Sequence, residues 1–123
     1  MTISRHFDTV AFDVRDEAAM LFFAETQQNG DIGGYILLMR AINADFDDTL
    51  YIEVDDQQLT GSDLLAEAEI DGNLLRLSLA GDAVKTFGGK DFVITFDDTE
   101  RNHAGIRAGA LRVLGDKLVV GHG

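Results

Sequence analysis

Apolar and polar positions alternate most cleanly over Leu50–Gln57, where Leu50, Ile52 and Val54 interleave with Tyr51, Glu53 and Asp55. That period of two predicts a strand with one buried face. Asp56 and Gln57 follow at the expected strand end, placed to face a partner. Upstream, Phe7, Val10, Phe12 and Val14 predict one edge strand over Ile3–Val14. Ala18–Thr26 is a continuous apolar run of strand length, which suits a strand buried on both faces. Its Ala, Met and Leu content makes a short helix the competing reading. Gln27–Gly34, with Asn29, Gly30, Gly33 and Gly34, reads as a turn, and Tyr35–Ile42 as the next strand. The three glycines do not form a phosphate loop, because no Lys-Ser/Thr follows and the segment opens a strand.

Asn43–Thr49 is an acidic loop. Its Asp45-Phe46-Asp47 start resembles that of a calcium loop, but Leu50 stands at the sixth position, where that loop needs Gly, and Asp56 at the twelfth. A polar break around Gly61 spans Leu59–Ser62. Beyond it Leu64, Ala66, Ala68 and Ile70 alternate with Leu65, Glu67 and Glu69. Leu75, Leu77 and Leu79 then alternate with Arg76 and Ser78, and Asp71-Gly72 between the two runs is a strong hairpin signal. Glu67 or Glu69 should pair with Arg76 across that hairpin. Gly81–Gly88 reads as a helical turn capped by Asp82, and Asp91–Phe96 as a strand burying Phe92, Ile94 and Phe96. Asp97-Asp98-Thr99 supplies the N-cap of a helix over Glu100–Leu114, whose Ile106, Ala110, Val113 and Leu114 share a face, with Gly115 as its stop. Leu118, Val119 and Val120 can add a last short strand. The class is α+β: a mainly antiparallel sheet of six to eight short strands, with one C-terminal helix and a short helical turn packed on it.

A length of 123 residues predicts one domain over 1–123, and 46% apolar content suits a packed core. No cysteine is present, which removes disulfide scaffolds, thiolate zinc sites and thiol nucleophiles, and fits a reducing cytoplasm. Met1–Val14 carries His6, Asp8 and Asp13 where a signal peptide needs an apolar run, and no apolar stretch approaches membrane-spanning length. These features predict a cytoplasmic protein. Charge alters the picture most. The net value is −12, and it is uneven: residues 1–100 hold 6 basic and 21 acidic side chains, net −15, while 101–123 are net +3. Such a surface repels nucleic acid and anionic lipid and attracts basic partners, although solubility alone can also account for it.

Chemistry-bearing patterns are sparse. His6, His103 and His122 have no second His at ligand spacing, and His103 is expected at the surface. The pairs Asp47/Asp48, Asp55/Asp56 and Asp97/Asp98 follow from 22 acids in 123 residues, and neighbours on a strand point to opposite faces. No Gly-x-Ser-x-Gly turn occurs. Neither an enzyme, a metal nor a cofactor is expected. The basic zone of Arg101, Arg107, Arg112 and Lys117 is read as neutralising the acidic body.

The run Tyr35-Ile36-Leu37-Leu38-Met39-Arg40, the acidic loop and Tyr51-Ile52-Glu53-Val54-Asp55-Asp56-Gln57 together resemble the immunity protein 10 family of bacterial polymorphic-toxin systems. The hairpin strands and the Phe92–Asp97 strand before an Arg-containing helix follow in the order of that family. The chain departs from it after Gln57, where Gln58-Leu59-Thr60-Gly61-Ser62 keeps one glycine, and it has no Trp. The resemblance implies a stoichiometric inhibitor that binds a basic toxin domain, a nuclease, and protects the producing cell. It implies Glu53, Asp56 and Gln57 as partner-binding residues, with Asp47 and Asp48 as rim charges. The competing reading is that Glu53 and Gln57 satisfy backbone groups or an arginine such as Arg40. Two other classes stay open: a homo-oligomeric scaffold, a homodimer through an exposed sheet edge, and a small-molecule binding domain with a pocket lined by Phe22, Phe23 and Tyr35.

Overall fold

The computed structural model describes residues 2–15, 18–41, 50–62, 65–81, 83–115 and 118–120, with the backbone alone at 41, 56–62 and 120. Among them lie ten strands and two helices: β1 (Thr2–Phe7), β2 (Thr9–Arg15), β3 (Ala18–Thr26), β4 (Ile32–Ala41), β5 (Leu50–Val54), β6 (Asp56–Ser62), β7 (Leu65–Asp71), β8 (Leu74–Leu79), α1 (Ala83–Phe87), β9 (Asp91–Phe96), α2 (Glu100–Leu114) and β10 (Leu118–Val120). Sheet I has the order β1-β9-β8-β7-β10 and sheet II the order β2-β3-β4-β5-β6. All pairings are antiparallel except β1 with β9 and β10 with β7, both at the edges of sheet I. The α+β class is as predicted.

The strand count exceeds six to eight for two reasons. Ile3–Val14 is two strands rather than one. The chain leaves sheet I after Phe7 and enters sheet II at Thr9, so Asp8 is a crossing point. Its carboxylate accepts from the Thr26 N–H at 2.8 Å and from the Thr26 hydroxyl, bonds that hold it below the usual carboxylate pKa. The second reason is Leu59–Ser62, read as a polar break and found in β6. Smaller shifts have local causes. Gly33 and Gly34 belong to β4, and the turn before it is Gln27–Asp31, with Gly30 at φ 89°. A bulge between Leu65 and Glu67 turns Leu65 inward and leaves Ala66 exposed, against the predicted Leu64/Ala66 alternation.

The inner faces of both sheets and one face of α2 share a single core cluster. Phe23 of β3 meets Phe7 at 6.0 Å and Phe96 at 6.3 Å, so the sheets touch through three rings. Helix α2 lies on the inner face of β2 and β3. Its approach depends on two glycines: a Cβ at Gly109 would stand 2.4 Å from the Phe12 ring, and one at Gly105 3.2 Å from the Val10 carbonyl. Thr99 caps the helix by accepting from Asn102 N–H at 3.1 Å, and Gly115, at φ 66°, ends it.

Buried Asn102 joins the two sheets where the chain crosses between them. Its Oδ1 accepts from Val10 N–H at 2.9 Å, and its Nδ2 donates to the carbonyls of Asp8 at 3.0 Å and Asp97 at 2.9 Å. No helix of the described residues is long and apolar enough to cross a membrane.

Candidate functional site

The registers of sheet II place its outward residues in rows. One row runs Ala11, Phe22, Leu37, Glu53 from β2 to β5; the next runs Asp13, Met20, Met39, Tyr51. A third joins Thr9, Ala24 and Tyr35. Met20, Phe22, Tyr35, Leu37, Met39 and Tyr51 are therefore neighbours on one face, all half-buried. Helix α2 lies on the opposite face, against Val10, Phe12 and Leu21. An outward apolar face of this kind is unusual for a solvated sheet, whose outer positions are normally polar.

Glu53 sits within this face and is only 8% exposed. Tyr51 donates its phenol hydroxyl to Oε1 at 2.7 Å, and Tyr35 donates to Oε2. A buried carboxylate without donors would be costly, and the two phenols supply one donor per oxygen. The anticipated alternative partner, Arg40, is occupied elsewhere, its Nε donating to the Val113 carbonyl at 2.7 Å. Phe22 packs on Tyr35 with ring centroids 5.5 Å apart, so aromatic contact continues from β3 to β5.

The end of β5 differs from the sequence reading. The chain does not stop at Asp56 and Gln57 but reverses at Asp55, a non-glycine residue at φ 63°, and returns as β6 with Asp56 opposite Val54. The left-handed conformation is offset by the contacts it allows. Asp55 takes a bidentate pair from Arg5 at 2.8 and 2.9 Å and accepts from Tyr35 N–H at 2.9 Å. The Arg5 hydrogen bond holds the Asp55 carboxyl below its usual range, and the same bond raises Arg5. Gly34 makes room for this pair, since a Cβ there would be 2.5 Å from Arg5 Nη2.

Of the five predicted partner-binding residues, Glu53 is placed on the outer face, on the strand next to the β6 edge. Asp56 and Gln57 lie on the β6 backbone with side chains outside the described residues, and Asp47 and Asp48 lie outside them altogether. Phe22, Phe23 and Tyr35, named for the alternative of a small-molecule pocket, do not all stand on one face. Phe22 and Phe23 point to opposite faces of β3, and Phe23 is fully buried in the core. A separate groove of about 310 Å³ runs between α2 and the β7/β10 edge, lined by Ile70, Ile106, Ala110 and Leu118. Its two polar residues are already engaged, His103 with Asp98 and Arg107 with Glu100. Among the described residues no three His, Asp or Glu side chains converge as a metal ion would require.

The continuous apolar run of Ala18–Thr26, read as suited to a strand buried on both faces, was already a signal for this outer face. Met20–Ala24 and Tyr35–Met39 are apolar at every position, and β3 and β4 are adjacent. Two such strands side by side make both faces of a sheet apolar, while only one face can meet the core. Comparison with protein-family models, with curated proteins and with solved structures finds no match for this chain.

Proposed function

We propose that this protein is a non-catalytic inhibitor that binds and neutralises a cognate polymorphic-toxin domain, a nuclease, by one-to-one protein contact, in the manner of the immunity protein 10 family it resembles. The observation that carries the reading is the apolar outer face of sheet II, on the side away from helix α2. It offers aromatic and methionine side chains, residue types enriched in protein interfaces, around a carboxylate already held in place. Net charge −12 supports a basic partner, because long-range attraction speeds encounter with a cationic nuclease surface. The same charge disfavours homodimerisation, which would bring two −12 surfaces together.

The test is calorimetric titration of the full chain against the toxin domain encoded beside it, with nuclease activity followed in parallel. One-to-one binding with loss of activity, weakened by Phe22→Ala, supports the proposal. Absence of binding to that toxin domain at low salt overturns it.

A further inference from the structure

We infer that Asn29 is a self-modification site: the Gly30 nitrogen displaces the Asn29 side-chain amide as ammonia, and the product opens the β3–β4 turn. This goes beyond the function proposed above and does not depend on it. The chain has asparagine at 29, 43, 73 and 102, and Asn29 alone is followed by glycine. Glycine has no Cβ to keep its nitrogen from the preceding side chain. A Cβ built on Gly30 would meet nothing within 4 Å, so the reacting peptide stands in open space. Both residues are exposed, at the end of the β3–β4 hairpin away from Ala41. The other described asparagines have no such route. Asn102 is buried and makes three side-chain bonds. Asn73 donates to the Phe96 carbonyl at 2.9 Å, and Leu74 after it belongs to β8.

The turn brings the reactants together. Asn29 Oδ1 accepts from the Asp31 N–H at 3.0 Å, which lays the carboxamide along the Gly30 peptide and polarises its carbonyl carbon. Asn29 Nδ2, the leaving nitrogen, donates to the Asp31 carboxylate at 3.0 Å. One bond opposes the reaction: the Gly30 N–H donates to the Gln27 carbonyl at 2.9 Å and must be released before it attacks. A single bond in an exposed turn opens at far lower cost than one in a core strand. The atoms balance with water alone. The Gly30 nitrogen gives its proton to hydroxide and bonds to Asn29 Cγ, and the Cγ–Nδ2 bond breaks to release ammonia. Water then opens the cyclic imide. Opening at Cγ gives aspartate. Opening at the backbone carbonyl carbon gives isoaspartate, whose chain runs through the side chain and is longer by one methylene. Either product sets a second carboxylate against Asp31, and isoaspartate also moves Gly30 away from the Gln27 carbonyl.

The experiment ages the folded, unmodified full chain in warm, mildly alkaline buffer and maps its peptides by mass spectrometry. The expected result is a gain of about 1 Da at Asn29, at least about tenfold faster than at any other asparagine, with aspartate and isoaspartate both formed. An intact Asn29 after the free peptide Thr26–Ile32 has converted, or earlier conversion of another asparagine, overturns the assignment. Asn29→Gln lengthens the side chain, so that the ring would be the less readily closed six-membered one, and should abolish the gain at this position. A gain that persists there overturns the imide route. Hydrogen exchange then compares the isolated isoaspartate form with Asn29→Asp, which carries the same charge on an unchanged backbone. Faster exchange of the Gln27 and Gly30 amides in the isoaspartate form supports opening of the turn. Equal exchange in the two proteins overturns it.

Discussion

The outward faces of the two sheets are built from opposite chemistry. On sheet I the rows read Thr2, Asp91, Ser78, Glu67; then Ser4, Val93, Arg76, Glu69; then His6, Thr95, Leu74, Asp71. Polar side chains dominate and neutralise one another: Arg76 reaches Glu69 across the strand pair, and His6 hydrogen-bonds Thr95 at 2.7 Å and Asp97 at 2.8 Å. On sheet II the corresponding rows carry methionine, aliphatic and aromatic side chains over β3–β5, with the Glu53 carboxylate tied down by two phenols, and polar Thr9 and Asp13 stand only on the edge strand β2. Both sheets have the same number of strands and contribute to the same core. Folding needs one apolar face per sheet, and sheet I shows that this chain can make the other face polar. The apolar outer face of sheet II is thus surplus to the fold, which is the physical reason for assigning it to a partner.

The most direct way to break that comparison uses two adjacent residues of β4. Leu38 is fully buried on the inner face, and Leu37 is half-buried on the outer face. Leu38→Ala should cost about 3 kcal/mol, the usual result of emptying a packed site. Leu37→Ala should cost less, about 1 kcal/mol, because its side chain is only partly enclosed. Denaturant unfolding of both variants measures the difference. Equal losses would mean that the outer face is packed as tightly as the core, and its availability to a partner would be refuted. Next in size is Gly109→Leu, which forces a side chain into the space where α2 meets Phe12. A loss of about 2 kcal/mol is expected, after the gain in helix propensity has offset part of the clash. The same replacement at exposed Ala108 should be nearly neutral.

Where sequence and structure agree, a local pattern was enough. The Asp71-Gly72 hairpin, the burial of Phe92, Ile94 and Phe96, and the cap and stop of α2 at Thr99 and Gly115 all depend on residues close in the chain. What was missed depends on partners far away. Nothing near Asp8 says that the chain changes sheets there; the crossing is fixed by Thr26 and by Asn102, 18 and 94 residues distant. The turn at Asp55 looked like a strand end because its stabiliser, Arg5, lies 50 residues earlier. Glu53 was singled out from its place in the alternation, yet its surroundings became legible only when the register set Tyr35 and Tyr51 beside it. Asn102, the joint between the sheets, carried no sequence signal beyond lying near the start of a helix.

Asp55 gives the third test, and its sign follows from the depressed pKa. A carboxyl whose folded pKa lies below its unfolded value, about 3.9, stabilises the fold above that value. The contribution is lost as pH falls through the lower folded value. Asp55→Asn keeps a residue that tolerates the left-handed backbone but removes the charge opposite Arg5. At neutral pH the variant should be less stable by about 0.5–1 kcal/mol, the upper range for a partly exposed pair. The gap should close on acidification below about pH 4, since only the unmodified chain loses the bond. Asp8, also depressed, is present in both proteins and cancels from the difference. A gap that stays constant from neutral to strongly acidic pH would show that the Arg5 pair does not stabilise the turn.

The smallest effect is expected on the outer face of sheet I. Arg76 lies directly opposite Glu69 and reaches it at 3.5 Å, with side chains 60% and 43% exposed. Water solvates both groups at this distance, and ordering two long side chains offsets much of their attraction. Arg76→Ala should therefore change stability by no more than about 0.5 kcal/mol, and by less in salt, where the pair is screened. Toxin binding should be unaffected, in contrast to Phe22→Ala on sheet II. A loss above about 1 kcal/mol would mean that the polar face contributes to the fold as the core does. A loss of binding would place the partner on the wrong sheet. If neither is seen, the polar face of sheet I serves solvation, and the apolar face of sheet II stands out as the feature that folding does not require.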